Sequence, residues 1–384
     1  MVFKCRVSHL LLLLLGLSLS SWGKSYSAQE IDQLIQSQYA SWGIQPLKTK
    51  TVKDPSIQLE KALKIFKMNR PVTVAVVDTG IDYSHPFLQE SLYFKNKKAT
   101  PSEFGMDFSL KKVTTRPHDE HGHGTHVAGI IRSIFPDVRI LPVKYFSPKA
   151  SGQQNLAATI KALRYAVEAN VDIINYSGGG PEASSQEKEI LELARKKGIL
   201  VVAAAGNDGK NIDSNKEGYY PASYRLSNII SVGSYNPQVR LLNSSNWGDQ
   251  TVDLAAPGYR INSAFIQPKQ KTNSEIANAL AATSPVSEMM TGTSQATAFV
   301  TGAAALIKSM YPHYSAEKIK SIIVETVEKE KQFEGKVASA GRLDISKALL
   351  KAKELQEPTQ KQKKKKITQP KQRSKSSRQV ARDQ

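Results

Sequence analysis

Residues 291–302, T-G-T-S-Q-A-T-A-F-V-T-G, combine a Gly-Thr-Ser turn with a run of small and apolar residues. This context offers Ser294 as a nucleophile. A serine hydroxyl is inert at neutral pH, so chemistry at Ser294 requires a base, a group that orients the base, and donors for a developing oxyanion. The rest of the chain must supply these groups from distant segments.

Two such segments carry suitable groups. Asp78 follows the valine-rich run 72–77, which is typical of a strand buried on both faces. Ligands of open parallel α/β sheets bind beyond the carboxyl ends of strands, although an Asp in this place could equally cap a turn. Residues 118–129 hold four of the seven histidines, and one of them can begin the next helix. The order Asp, His, Ser is a known triad order.

The histidine cluster has a competing interpretation as a metal site. His118, His121, His123 and His126 are dense enough to bind zinc on a flexible loop. However, the H-E-x-x-H pattern is absent, and Gly and Thr spacers do not place two imidazoles on one helix face. We therefore predict neither a metal ligand set nor a cofactor here.

The elements that must position these groups follow a strand–helix alternation. Helical periodicity at 154–169 and 186–197 alternates with the strand patterns V-R-I-L-P-V-K-Y-F, V-D-I-I-N-Y and I-L-V-V-A-A-A. This order predicts an α/β fold, a doubly wound, mostly parallel sheet with helices on both faces. Shorter strands follow, then one helix from Ser294 to about Met310 and another over 315–329.

Residues 1–23 are predicted to be a signal peptide. Two basic residues precede a ten-residue apolar run, and a small-x-small cleavage site ends at Gly23. Ten apolar residues are too few to cross about 30 Å of hydrocarbon as a helix. We therefore expect an exported protein, secreted or periplasmic. Cys5 is the only cysteine, so the mature chain has no disulfide and no thiol catalyst.

The net charge of +19 is concentrated at the C-terminus. Residues 351–384 hold 12 Lys and Arg against 3 Asp and Glu, and they contain almost no apolar side chains. We divide the chain into the signal peptide, a short leader (24–41), a folded domain (42–352) and a basic disordered tail (353–384). The Lys-rich tail could hold the protein on anionic surfaces, or it could be a solvated extension.

Several ordered blocks resemble the subtilase family, the subtilisin-like serine proteases. The matching blocks extend from about Trp42 to about Leu350 and read V-A-V-V-D-T-G-I-D, H-G-T-H-V-A-G, N-Y-S-G-G-G, V-V-A-A-A-G-N-D-G and T-G-T-S-Q-A-T. The resemblance implies a monomeric serine endopeptidase that hydrolyses extended polypeptides through an acyl-enzyme. A catalytically idle member used for binding is the alternative, although all matching catalytic positions are filled.

The resemblance implies roles for seven residues. The base takes the nucleophile's proton, the aspartate fixes the tautomer of the base, and an asparagine joins a backbone N–H in stabilising the oxyanion. A small-residue strand pairs with the substrate backbone. The catalytic residues are then Asp78, His123, Ser294 and Asn207, and the substrate-binding residues are Ser177, Gly178 and Gly179.

The chain also departs from the family pattern. Gln295 and Ala298 stand where relatives often have Met and Pro after the nucleophile, and we expect the helix to tolerate both. The segments after Pro86 and Gly129 lack the family's main calcium ligands, so that site is expected to be missing. The short leader is too small to be a folded inhibitory domain. Asp208 could favour basic substrates, but an exposed turn position is the preferred interpretation.

Overall fold

Strand β1 (Thr73–Asp78) has apolar layers on both of its faces. Val74 and Val76 pack into one layer, whereas Ala75 and Val77 pack into the other. Successive side chains of a strand point to opposite faces, so a strand covered on both sides must be apolar throughout. The valine run therefore forms a buried parallel strand and carries Asp78 to its carboxyl end.

The computed structural model describes residues 23–47, 53–93, 104–109, 112–214, 216–266 and 286–356. Besides β1, these ranges contain β2 (Met106–Asp107), β3 (Arg139–Lys144), β4 (Ile173–Tyr176), β5 (Leu200–Ala204), β6 (Ile229–Tyr235), β7 (Leu254–Pro257), β8 (Ile261–Ala264), β9 (Ser287–Met290), β10 (Glu328–Lys329) and β11 (Gly341–Arg342). Within the described ranges, one sheet has the order β10-β11-β7-β6-β5-β4-β1-β3-β2. Its pairs are parallel except β10–β11, and β8 with β9 forms a separate antiparallel ribbon.

Helices cover both faces of this sheet. They are α1 (Ala28–Ile35), α2 (Leu59–Leu63), α3 (His123–Ile134), α4 (Gly152–Glu168), α5 (Ser185–Lys196), α6 (Thr293–Met310), α7 (Ala316–Glu325) and α8 (Ile345–Gln356), with 3₁₀ turns at Gln89–Ser91, Ala222–Tyr224 and Lys331–Phe333. Helices α3 and α6 pack in one layer, and α4 with α5 in the other. The predicted doubly wound, mostly parallel α/β fold is confirmed. In the described ranges, no helix combines the length and apolarity needed to cross a membrane.

The segment predicted as a short leader packs onto the domain. Helix α1 begins with a capping box, in which Ser27 accepts from the Glu30 N–H and Glu30 accepts from the Ser27 N–H. Ile31 and Ile35 on one face of α1 are buried in the same core as α3 and α6. Residues 24–41 therefore contribute to the apolar core on that side of the sheet.

The C-terminal elements differ from the sequence prediction in two places. The helix predicted over 315–329 ends at Glu325, and Glu328–Lys329 form edge strand β10 against β11. Pairing with Gly341 and Arg342, which local periodicity does not reveal, ends the helix early. Helix α8 continues to Gln356, four residues past the predicted domain end at 352. The predictions for residues 1–22 and 357–384 lie outside the described residues.

Candidate active site

Asp78 and His123 form a hydrogen-bonded pair at the carboxyl end of β1. His123 is the first residue of α3, and its Nδ1 lies 2.7 Å from Asp78 Oδ1. Asp78 is 3% exposed, and its Oδ1 also accepts from the Thr79 N–H. Burial alone would lower the pKa of His123, but the charge of Asp78 and their hydrogen bond outweigh burial and raise it above 6.5. The pair therefore couples a carboxylate to an imidazole poised to accept a proton.

Asp119 fixes the turn that delivers His123. Its buried carboxylate accepts from the N–H groups of His121 and Gly122 through Oδ1, and from the N–H and hydroxyl of Thr125 through Oδ2. Thr79, next to Asp78, also donates its hydroxyl to Asp119 Oδ1. One carboxylate thus ties the β1 end to the first turn of α3. Sequence reasoning missed this role, although Asp119 lies inside the histidine cluster.

Gly122 allows the chain to enter α3 at this point. Its φ of 96° lies in the left-handed region, where a side chain would be strained, and an added Cβ would lie 2.2 Å from the Phe265 ring. His123 follows Gly122 directly, so the geometry of this turn determines the position of the His123 imidazole. A substitution at Gly122 would displace the helix start.

Ser294 lies at the start of α6 and contacts the strand next to β1. It is 6% exposed, and its Oγ donates to the Ser177 carbonyl at 2.9 Å. Strand β4 pairs with β1 in the register Val77↔Tyr176, so Asp78 and Ser177 are the next residues on adjacent strands. The predicted nucleophile is therefore held beside the strand end that carries the Asp78–His123 pair. In this structure the Ser294 hydroxyl donates to the Ser177 carbonyl and not to His123.

Asn207 is anchored beside the same helix start. Its Oδ1 accepts from the Thr293 N–H at 2.9 Å and from the Thr293 hydroxyl at 3.2 Å. These bonds use the oxygen of the amide and leave both Nδ2 hydrogens for another acceptor. Ser294 is the second residue of α6, so its own N–H has no partner within the helix. Asn207 Nδ2 and the Ser294 N–H are thus two donors without a helical partner at the same helix start.

The predicted substrate-binding segment, Ser177–Gly179, directly follows β4. An added Cβ at Gly178 would lie 1.9 Å from the Tyr145 hydroxyl, and one at Gly179 would lie 2.4 Å from the Tyr219 ring. The two glycines therefore let tyrosine side chains pack directly against this backbone. Gly180 pairs with Tyr220 through mutual backbone hydrogen bonds.

The other histidines of the cluster include one that is buried and one that is exposed. His126 is buried, and its Nε2 lies 2.9 Å from the Ile261 carbonyl and 3.1 Å from that of Glu288. Burial lowers the pKa of His126 to about 4, so its neutral ring donates to these carbonyls. His121 is exposed. Across the described ranges, no group of three or more His, Cys, Asp or Glu is arranged to hold a metal ion.

The positions that depart from the family pattern fit into α6 without interrupting it. Gln295 is 1% exposed and Ala298 is fully buried, and the helix continues through both to Met310. Gln295 Nε2 has no hydrogen-bond partner among the described residues. Asp208 is exposed in a turn, where its N–H donates to Asn246 Oδ1.

Glu187 is a second residue that sequence reasoning missed. It is the third residue of α5 and is only 2% exposed, although its neighbours on both sides along the chain are exposed. Burial raises the pKa of its carboxyl from 4.5 to about 7. In the sequence, Glu187 belongs to a polar run typical of a solvated helix face, so no local signal marks it.

Comparisons with known proteins agree with this geometry. The model of the Subtilase family matches residues 69–362. The major intracellular serine protease of Bacillus subtilis (strain 168) is 34% identical over 270 residues, which are 66% of this chain and 76% of that protein. Subtilisin amylosacchariticus of Bacillus subtilis subsp. amylosacchariticus is 33% identical over 265 residues, 66% of this chain and 60% of that protein.

Solved structures give the same result. The crystal structure of a lanthipeptide protease is 27% identical with a TM-score of 0.57, covering 73% of this chain and 87% of that chain. A cold adapted subtilisin-like serine proteinase shares the fold with a TM-score of 0.56, covering 71% of this chain and 88% of that chain at 24% identity. The family match spans well over half of the chain, so this protein belongs to the subtilase family and is a serine-type endopeptidase.

Proposed function

We propose that this chain is an exported endopeptidase that hydrolyses extended polypeptides through Asp78, His123 and Ser294. The observation that carries the proposal is the 2.7 Å contact between His123 Nδ1 and Asp78 Oδ1, at the strand end beside Ser294. An imidazole that donates its Nδ1–H to a carboxylate presents Nε2 as a base. The mechanism requires the Ser294 side chain to turn from the Ser177 carbonyl towards that base.

In the acylation step, Ser294 Oγ attacks the carbonyl carbon of the scissile peptide bond as its proton passes to His123 Nε2. The Asp78 carboxylate stabilises the resulting imidazolium without accepting its proton. His123 then gives the proton to the leaving nitrogen, the C–N bond breaks, and the amine product departs. The new ester joins the acyl group to Ser294.

Deacylation repeats the sequence with water. His123 takes a proton from water, the hydroxide oxygen attacks the ester carbon, and the returned proton restores the Ser294 hydroxyl as the acid product leaves. The oxyanion of both steps accepts from Asn207 Nδ2 and the Ser294 N–H. The bonds from Thr293 to Asn207 Oδ1 support this role, because they hold the amide with Nδ2 free.

The substrate backbone would pair with Ser177, Gly178 and Gly179. Main-chain pairing recognises any extended polypeptide, whereas pockets beside the strand select side chains. The proposal needs no cofactor, and we expect the enzyme to act as a monomer.

Export rests on the signal-peptide pattern of residues 1–23. The segment that follows is held on the folded body, because Lys24 pairs with Asp137 at 2.7 Å and its carbonyl accepts from the Met68 N–H at 2.8 Å. A new terminus there would begin on the folded body. Secretion or a periplasmic location follows from this proposal.

The Lys-rich tail gives a further binding proposal. Residues 357–384 would hold the enzyme on anionic surfaces through charge alone. Retention on an anionic support should then fall steeply with salt for the full chain. A chain ending at Gln356, where α8 ends, should be retained less; equal retention would remove this proposal.

Replacing the nucleophile tests the proposed chemistry directly. Ser294→Ala should abolish peptide hydrolysis while the circular dichroism spectrum stays unchanged, and a serine-directed inhibitor should acylate only the wild type. Hydrolysis that persists in Ser294→Ala would overturn the triad. Inhibition by chelators and not by serine reagents would favour metal chemistry instead.

A further inference from the structure

A cavity of about 580 Å³ lies beside the predicted substrate-binding segment, and a buried acidic residue belongs to its lining. Gly178, Gly179 and Gly180 form one wall, and Glu187 lies in the lining. Exposed residues that include Gly152 and Pro181 surround the mouth, whereas Glu187 is 2% exposed. The same segment begins at Ser177, whose carbonyl accepts from the Ser294 hydroxyl, so this segment connects the cavity wall to the nucleophile.

The carboxyl of Glu187 interacts with the Tyr224 hydroxyl and does not cap its own helix. In α1 and α4, the third helical residue reaches back to the N–H of the capping serine. In α5, the N–H of the capping Ser184 instead donates to the Tyr224 hydroxyl at 2.8 Å, and that hydroxyl donates to the Ser184 carbonyl. Tyr224 thus satisfies the Ser184 N–H that the Glu187 carboxylate would otherwise bind.

Among the residues that the structure describes, no cation compensates this buried carboxyl. Its pKa responds to burial, which raises it, and to the Tyr224 hydroxyl, which lowers it; no Lys, Arg or His of the described ranges contributes. Buried carboxylates are normally paired, because desolvation of an isolated charge is costly. An unpaired acid that lines an open cavity is therefore suited to a cation supplied from outside.

The walls of the cavity fit the rest of such a ligand. Tyr145, Tyr176 and Tyr219 line it together with Leu156. Aromatic faces attract ammonium and guanidinium groups, and the methylene stems of Lys and Arg pack well on apolar surface. The combination of aromatic walls and a buried carboxyl matches a long basic side chain better than an apolar one.

We propose that Glu187 selects substrates by binding a lysine or arginine side chain of the polypeptide in this cavity, an inference that rests on the proposed endopeptidase function. The basic side chain enters from the strand paired with Ser177–Gly179 and its charge meets the Glu187 carboxylate. Glu187 is a specificity-determining residue and takes no part in bond cleavage. Polypeptides rich in basic residues are then the favoured substrate class.

The test uses fluorogenic octapeptides in which each position in turn is Lys, Arg, norleucine or Phe. At one position, wild type should show kcat/KM at least about tenfold higher for Lys or Arg than for norleucine, as expected for a buried charge pair. Glu187→Gln should reduce that ratio to near one, and a circular dichroism spectrum like that of the wild type shows that it is folded. Glu189→Gln, exposed on the same helix, is the matched control and should keep the preference.

A basic preference that survives in Glu187→Gln, or a wild type that prefers Phe at every responsive position, would overturn the inference. Binding separates this outcome from failure of the proposed function. In a Ser294→Ala background, Lys peptides should bind at least about tenfold more tightly than norleucine peptides, and Glu187→Gln should remove the difference. Equal affinities for Lys and norleucine peptides would contradict the role of Glu187, even if the wild type hydrolyses peptides. If the wild type does not hydrolyse peptides but the affinities differ, only the catalytic proposal is contradicted.

Discussion

His123 Nδ1 and Asp78 Oδ1 lie 2.7 Å apart in a site where Asp78 is almost fully buried. The carboxylate charge outweighs burial and raises the pKa of His123 above 6.5. Because the proposed base must be neutral, kcat/KM should fall about tenfold per pH unit below that raised pKa. A pH–rate profile measures this acid limb, and a limb centred well below pH 6.5 would contradict the assignment.

Asp78→Asn tests the contribution of the carboxylate to the Asp78–His123 pair. The amide cannot stabilise the imidazolium, so turnover should drop about 10⁴-fold, as in other Asp-His-Ser proteases, and any residual acid limb should move to lower pH. Asp32→Asn, exposed on α1, is a control that should leave the profile unchanged. Full activity in Asp78→Asn would remove Asp78 from the mechanism.

Asn207→Ala should lower kcat about 10²–10³-fold, the cost of losing such a donor in subtilisin, with little change in KM. The reason is geometric, since Thr293 holds Asn207 through Oδ1 and leaves Nδ2 for the oxyanion. Thr293→Val removes the hydroxyl bond and keeps the N–H bond, so its loss should be smaller. Steady-state kinetics on one peptide compares the two variants; a pure KM effect in Asn207→Ala would instead indicate a role in substrate binding.

The sequence predicted the position of a polar residue well where that residue directly follows a strand or helix with a strong apolar pattern. The valine run predicted β1 and therefore the position of Asp78 at its carboxyl end. Asp78, Ser177 and Ser294 lie together because the carboxyl ends of parallel strands share one edge of the sheet. The roles of His123 and Asn207 came from the family resemblance. Local pattern and resemblance together therefore located the predicted site residues at one sheet edge.

The remaining features depend on contacts between distant segments. In the sequence, Glu187 resembles a solvated helix residue. In the structure it shares the lining of one cavity with Tyr145, Tyr176 and Tyr219, which come from distant segments. Helix α7 ends at Glu325 because the chain beyond it pairs with β11, which periodicity cannot reveal. Helix α1 differs, because its capping box was a local signal that could have predicted it.

Glu187 should also leave a signature in the pH dependence of stability. Its pKa is raised from 4.5 to about 7, so the folded state binds more protons than the unfolded state between these values and stability falls as pH rises through them. The facing Tyr145, Tyr176, Tyr219 and Tyr224 all have pKa values raised above 10, so they do not titrate in this window. The other acid in the lining, Glu182, is exposed at the mouth.

Glu187→Gln cannot lose this stability, so it should be more stable than wild type at pH 8 by up to about 3 kcal/mol, with the difference shrinking towards pH 5. Denaturant unfolding of the Ser294→Ala background at several pH values measures it without autolysis. Glu189→Gln should follow the wild-type curve. A Glu187→Gln curve parallel to wild type would show that the carboxyl is not buried uncharged.

The N-terminal segment should behave as part of the folded enzyme. Ile31 on α1 is 4% exposed, and Tyr26 stacks on Phe66 with ring centroids 5.7 Å apart. Ile31→Ala should therefore lower the free energy of unfolding by about 2 kcal/mol, the low end for a buried Ile, because α1 lies at the edge of the core. Specific activity at 25 °C should not change, since none of the site contacts involves α1.

The matched control for Ile31→Ala is Asp32→Ala, an exposed position on the same helix, which should leave the free energy of unfolding within about 0.5 kcal/mol of wild type. Mass analysis of the exported protein should find an N-terminus near Lys24. A mature enzyme that begins at Trp42 and unfolds at the wild-type denaturant concentration would show instead that residues 24–41 are a removable leader. The two results differ because removal of α1 would expose the apolar surface that Ile31 and Ile35 cover. A truncated enzyme of equal stability would therefore require that surface to be buried by other residues.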